Sequence, residues 1–175
     1  VNVSGGSNIP LLNCHTVIDA SRNVIDNVKE LVKGSRAYLP YSQGKYKILV
    51  ETTGSASITL TEDDIIGGYA LSSESKANRY NRVIVSYVNP DRNYQVDEVQ
   101  WPEIDDSGYS SADQHATMKT ADGGFLLEGR FDFGTITNVY QATEIAEVIC
   151  RRSRDSKGLT INVAFDAYDL AIGDI

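Results

Sequence analysis

Cysteine, histidine, methionine and tryptophan are scarce in this chain: two, two, one and one among 175 residues. Two cysteines, Cys14 and Cys150, far apart in sequence, exclude a disulfide scaffold and a Cys-x-x-Cys metal or redox motif. They read as two buried free thiols of a protein folded in a reducing cytoplasm. His15 adjoins Cys14, but neighbouring side chains rarely close one tetrahedral site and no further ligands lie near, so no metal is expected. No apolar run approaches the ~20 residues that cross a bilayer, so membrane insertion of this segment is not expected. A basic excess is also missing. Sixteen Lys and Arg stand against 24 Asp and Glu, a net charge of −8, which argues against a basic surface for nucleic acid or anionic lipid. Plain solubility is the first reading of the acidic balance, which is also compatible with a surface that must not adhere to DNA, such as the wall of a DNA conduit. Gly5-Gly6, Gly67-Gly68 and Gly123-Gly124 do not join a parallel strand to a helix, so no phosphate loop and no cofactor is read.

What is present is ordinary globular material, 41% apolar and 23% charged. Asn13 to Ile18 reads as a short strand. Asp19 or Ser21 can cap a helix in which Val24, Val28, Leu31 and Val32 form one face, and Gly34 sits where a left-handed closing residue is wanted. Ala37 to Tyr41 and Lys45 to Glu51 flank a Ser42-Gln43-Gly44 turn as a hairpin. Ile58 to Leu60 is a further short strand, and Thr61 caps an acidic turn ended by Gly67-Gly68. Tyr69 to Ser73 is extended. Val83, Val85 and Tyr87 alternate with Ile84, Ser86 and Val88 until Asn89-Pro90-Asp91 stops the ladder, and Val96 to Trp101 runs back. Residues 104–124 read as a long polar loop. Phe125 to Phe133 has strand character. Thr137 or Asn138 caps a second helix with Ala142, Ile145, Ala146 and Ile149 on its apolar face, and Leu159 to Phe165 alternates as a last strand. The reading is α+β, mostly antiparallel strands with two packed amphipathic helices at about 18–33 and 138–153. It divides into a helix-plus-hairpin subdomain, 1–55, and a β-rich subdomain with one helix, 56–175. The chain opens on Val1, without a signal peptide, and stops at Ile175 after strand-like sequence. It is expected to be a piece of a longer protein.

Catalytic constellations are weak. His115, near Ser110, Ser111 and Asp113, is where a triad is chemically conceivable, but there is no Gly-x-Ser-x-Gly elbow and a solvated loop histidine is the plainer reading. Among 24 acids, pairs such as Asp97/Glu98 arise by chance, and a solvated acidic face accounts for them. Glu103, Asp105 and Asp106 lack the calcium-loop spacing. Ten tyrosines lie mostly in or beside strands, where they serve either as amphipathic core rims or as interface anchors. The interface candidates are Tyr87, Asn89, Pro90, Tyr94 and Trp101.

Residues 80–103, with an Asn-Arg-Val strand, an Asn-Pro turn, a Tyr94-Gln95 pair and an acidic strand, resemble the central tail-tip, or baseplate hub, proteins of long-tailed bacteriophages. Further blocks resemble the same family. They are Asn13-Cys14-His15-Thr16-Val17-Ile18-Asp19 with Val24 to Val28 following, Ala37 to Tyr41 with Gly44 to Lys47, Leu60 to Ile65, and Ile172-Gly173-Asp174-Ile175. His15-Thr16 stands where the family has Asn-Gly. The resemblance implies a module of a ring-forming hub, a trimer in the full-length protein, made in the bacterial cytoplasm and carried at the virion tail tip. Such a ring closes the tail tube, supports host attachment and opens for DNA. Its implied partners are its own copies, the distal tail ring and the fibres. No catalytic residue and no specific nucleic-acid contact follows from it. A receptor- or carbohydrate-binding module of a tail fibre is the alternative, and a wall-degrading enzyme a third.

Overall fold

The computed structural model describes residues 12–42, 44–50, 54–73, 75, 78–103, 110–155, 157–164, 170 and 172–173, without the side chains of 110–113. The architecture is α+β, and its centre is a three-stranded sheet of order β7-β6-β8 covered by one helix. β6 (Arg82–Asn89) is central, and its sequence explains why. Val83, Ile84 and Val85 are all buried, Val83 and Val85 in the core under the helix and Ile84 on the other face among Arg82, Gln100 and Arg130. Pro90 and Asn89 turn it tightly into β7 (Gln95–Trp101), paired antiparallel from Val83↔Trp101 to Asn89↔Gln95.

β8 (Glu128–Asp132) lies on the other side of β6 and runs parallel to it, Arg82↔Glu128 through Ser86↔Asp132. The strands are mostly antiparallel as expected, with this pair the one parallel pairing among the described residues. β7 brings the chain back to the start of β6, with Trp101 opposite Val83, and β8 leaves from that same end, with Glu128 opposite Arg82, so it runs parallel to β6 on the far side. Within that connection, residues 110–121, expected to be a loop, are a helix, α2 (Ser110–Ala121).

α3 (Val139–Asp155) spans 17 residues and lies across β6 and β7. Asn138 Oδ1 accepts from the Tyr140 N–H at 2.9 Å, the cap read from the sequence. The expected apolar face is the one buried: Ala142, Ile145, Ala146 and Cys150 pack with Val83, Val85, Tyr87, Trp101, Phe133 and Ile136, and Ile149 borders them. Glu147 and Arg151 pair at 2.7 Å one turn apart.

The N-terminal elements are tied to this core by polar contacts. α1 (Val24–Lys33) has the expected stripe, but none of its residues is fully buried and Val24 is 80% exposed. Its flanking residue is Asn23, whose side chain makes no capping bond, while the Asp19 side chain accepts from the Ser21 N–H and hydroxyl. Gly34 is right-handed at φ −79. Its lack of a side chain serves close approach, since a Cβ there would stand 3.2 Å from Thr135 Oγ1 and 3.3 Å from Ile136 Cγ1. Asn13 to Ile18 is not a strand. It is held instead by the His15 N–H donating to Thr135 O at 2.9 Å and by Gln141. The hairpin forms as two short ladders, β1 (Ala37–Tyr38) with β4 (Leu49–Val50) and β2 (Tyr41–Ser42) with β3 (Lys45–Tyr46). Residues 58–60 form no strand. Thr61 and Asp64 make the expected reciprocal cap. Gly67-Gly68 does not end the element, because β5 (Ile65–Ser73) runs through it by a register shift and pairs antiparallel with β9 (Lys157–Val163). Asp105, Asp106 and the segments 165–169 and 174–175, which include parts of the expected last strand and closing block, fall outside the described residues.

Candidate functional site

The β6–β7 turn is built by its own side chains. Asn89 Oδ1 accepts from the Asp91 N–H at 3.0 Å, and Asn89 Nδ2 donates to Asp97 Oδ2 at 2.8 Å across the hairpin. Asp97 also accepts from Arg92 Nη1 at 3.1 Å and from the Glu98 N–H at 3.0 Å. These bonds, the one from Asn89 foremost, hold its carboxyl below the usual range of an aspartate. Asn93 and Tyr94 close the turn with φ of 55 and 58, two left-handed residues in succession. A bulky side chain seldom adopts that geometry, and it stores roughly 1–2 kcal/mol.

Three of the five sequence candidates meet at one groove. Tyr87, Asn89 and Pro90 line a space of ≈ 450 Å³ with Thr137, Asn138 and Tyr140 from the start of α3. Tyr87 itself is 4% exposed. Burial, with the charges of Asp97 and Asp91 behind it, pushes its phenol up, so it presents little surface to a partner. Tyr94 stands apart at the hairpin tip, 70% exposed. Trp101 is at the far end of β7, 7% exposed in the core, with the Arg151 guanidinium 5.2 Å from its ring centre. Trp101 is therefore a packing residue, and Tyr94 is the exposed aromatic of the pair.

A second space, of ≈ 670 Å³, is bordered by Arg82, Glu98, Gln100, Glu103 and Arg130 together with Ile84, Val99 and, from α3, Val139 and Thr143. Three of its charged groups are paired, Arg130 with Glu128 at 2.9 Å and Glu98 at 3.6 Å, and Arg82 with Glu128 at 3.4 Å. Among the described residues no group of three or more His, Cys, Asp or Glu side chains could hold a metal ion. His115 is a helical residue, 7% exposed, and not the solvated loop residue expected. Burial lowers its pKa, and Lys119 and Arg82 add to that. The side chains of Ser110, Ser111 and Asp113 lie outside the described residues. Cys150 is buried as expected, with its thiol pushed up to about 11 chiefly by burial, whereas Cys14 is exposed and corrects the reading of two buried thiols.

Away from the sheet, the surface is unusually apolar. The hairpin presents Tyr41 and Tyr46, ring centres 4.9 Å apart and 62% and 60% exposed, beside Ile48 and Val50. The β5–β9 ribbon presents Tyr69, Leu71 and Leu159. Sequence reasoning read Tyr69 to Ser73 as extended and Leu159 to Phe165 as a strand but did not read that the two pair; neither Tyr69 to Ser73 nor Leu159 to Val163 contains a charge. No helix among the described residues is long and apolar enough to cross a membrane.

No family model matches the chain. It is 25% identical over 158 residues to the baseplate hub protein pb3 of Escherichia phage T5. The alignment takes in 90% of this chain and 15% of that protein, so the chain spans a small part of its relative's length.

Proposed function

We propose that this chain is a structural module of a phage or prophage tail-tip hub. In this reading copies of the longer protein associate into a ring that closes the tail tube, contact the distal tail ring and fibres, support host attachment and let DNA pass. The module is non-catalytic and needs no cofactor. The observation that carries the reading is the extent of the likeness to a baseplate hub protein, which runs through 90% of the chain and is not confined to one motif. Two features support it. The mutually paired Arg82, Glu98, Glu128 and Arg130 on the sheet suit a wall better than a reaction centre. Exposed aromatic and aliphatic strands on the hairpin and ribbon suit a component covered in an assembly. Immunogold electron microscopy of purified particles tests it, using antibody against the 175-residue chain. Gold at the distal tip, or on disrupted tails alone, is the expected result. Gold along fibres would move the assignment to a receptor-binding module, and no label on intact or disrupted particles would sink it.

A further inference from the structure

The groove beside the β6–β7 turn holds more hydrogen-bonding capacity than the fold uses. The Val88 N–H donates to Ile136 O at 2.9 Å. That bond lays the approach to α3 along the end of β6 and brings Thr137, Asn138 and Tyr140 to the same space, of ≈ 450 Å³, as Tyr87 and Asp91. Its size is that of a small-ligand cleft, about 300–1,000 Å³. Asn89 is used by the turn through both ends of its amide, and Asn138 Oδ1 by the helix cap. The hydroxyls of Tyr87 and Thr137, Asn138 Nδ2 and the Asp91 carboxylate make no hydrogen bond among the described residues. Tyr87 decides the matter. It is 4% exposed, so its ring belongs to the core. Its hydroxyl, however, is not among the polar atoms sealed from solvent, and the residue lines this groove. Buried polar side chains are ordinarily paired within the protein, so a core tyrosine that brings an unpaired hydroxyl to a groove points to a ligand there.

The lining selects the chemistry of that ligand. Burial first, then the charges of Asp97 and Asp91, raise the Tyr87 phenol, so the hydroxyl keeps its proton and the nearby negative charge disfavours an anion. Asp91 is the one acid of the lining, with no His or Cys beside it, which is too few ligands for a metal ion. Pro90 and Val139 are its apolar residues, and Tyr140, 43% exposed, is its one open ring. That is too little for the apolar groove that takes a helix or the row of aromatic slots that takes a proline-rich peptide. The set suits a neutral ligand dense in hydroxyls, which must both give and accept. A carboxylate accepts from adjacent O–H groups, hydroxyls and an amide donate to oxygens, and a single ring face meets C–H groups. We propose that this groove binds a neutral sugar ring. Asp91 accepts from its hydroxyls, Tyr87, Thr137 and Asn138 donate to its oxygens, and Tyr140 lies against its C–H face. The inference does not rest on the hub reading and adds a ligand which that reading does not contain.

The test is saturation-transfer NMR on the 175-residue chain with glucose, galactose, mannose, N-acetylglucosamine and the acidic N-acetylneuraminic acid, each in millimolar excess. Transfer to the ring C–H protons of at least one neutral sugar, and not to the acidic one, is expected. Tyr87→Phe removes one oxygen and keeps the buried ring. Because that hydroxyl has no partner in the protein, the urea midpoint of Tyr87→Phe should hold while the Kd for the sugar rises about tenfold, and Asp91→Ala should raise it at least as much. Absence of transfer to every neutral sugar would overturn the proposal. So would transfer that both variants leave unchanged, or a lower urea midpoint in Tyr87→Phe with sugar binding intact, which would assign the hydroxyl to the fold. Gold at the tail tip without sugar binding would sink the groove and leave the hub reading standing, and sugar binding without gold would do the reverse.

Discussion

Arg154 Nη1 donates to Asp122 Oδ2 at 2.7 Å, with 11% and 4% of the two side chains exposed. The pair joins the end of α3 to the residue after α2. Asn81 Nδ2 adds a bond to the same carboxyl oxygen at 3.0 Å, and Arg79 Nε lies 3.1 Å from the other. Asn81 is itself closed to solvent and bonds Phe125 O and the Leu127 N–H, so one polar cluster fixes the entries of both β6 and β8. Removing the acid leaves two guanidinium groups without their counter-charge. Asp122→Asn is expected to cost about 3–5 kcal/mol, read from urea unfolding. A loss below about 1 kcal/mol would mean that the pair behaves as a surface contact.

Acid should unfold the protein through the same group. Burial alone would raise the Asp122 pKa. Hydrogen bonds from Arg154 and Asn81, and the charges of Arg154 and Arg79, outweigh it and leave the carboxyl below 3.8, its ordinary value. A carboxyl depressed in the folded state adds stability that is complete above the unfolded pKa and is lost as pH falls through the folded one. Asp64 and Asp97 shift the same way, through bonds from Thr61 and Asn89 respectively. His115, whose pKa burial lowers, takes up its proton more readily in the unfolded chain, so the urea midpoint should begin to slip below about pH 6.5 and fall further below about pH 4 as the carboxylates protonate. Asp122→Asn should shallow that acid limb, and an unchanged slope would remove Asp122 from the account.

Much of the central hairpin and α3 is legible in the sequence because local chemistry and periodicity agree there. Asn89-Pro90 can do little but turn, Asn138 caps, and Ala142, Ile145 and Ala146 repeat at helical spacing. α2 was illegible for a physical reason. Ser110–Ala121 has no apolar stripe, only scattered alanines and Met118, so its helicity depends on tertiary contacts. The parallel direction of β8 was hidden because the sequence does not say that β8 pairs with β6 and not with β7, the strand that precedes it. Within the candidate site, sequence distinguishes aromatic from polar but not buried from exposed. Trp101 and Tyr94 both read as anchors, and the registered pairing of Trp101 with Val83 is what turns it inward.

Gln141 couples the N-terminal segment to the core. It is fully buried on α3, its Oε1 accepts from the Asn13 N–H at 3.0 Å, and its Nε2 donates to Asn13 O at 2.9 Å and Gly34 O at 2.8 Å. Gln141→Leu should leave those backbone groups short of partners at about 1–3 kcal/mol for each that stays buried. α1 has no fully buried residue of its own, so amide exchange in residues 24–33 should speed up more than in β6. Equal effects on both would show that α1 does not open separately.

The two cysteines should separate cleanly. Cys14 is exposed, and Cys150 is buried with its thiol at about 11. Since the thiolate is the reactive form, a disulfide reagent at neutral pH should modify one thiol in the native chain and two in denaturant. Two fast thiols in the native state would mean that the α3 core opens readily.

The two aromatic candidates of the hairpin should part in the same way. Trp101 is core, so Trp101→Ala should cost about 3–5 kcal/mol, with a fall in Tm of roughly 2–4 °C for each of them. Tyr94 is 70% exposed with φ 58. Tyr94→Gly releases left-handed strain and should hold or raise stability by up to about 1 kcal/mol. The geometry that penalises Tyr94 in the folded chain keeps its ring at the tip of the hairpin, away from the groove that Asn89 and Pro90 line. If the ring is an anchor for another tail protein, Tyr94→Gly should fold at least as well as the native chain yet fail to enter particles. Normal incorporation of that variant would leave Tyr94 as a strained turn residue with no part in assembly.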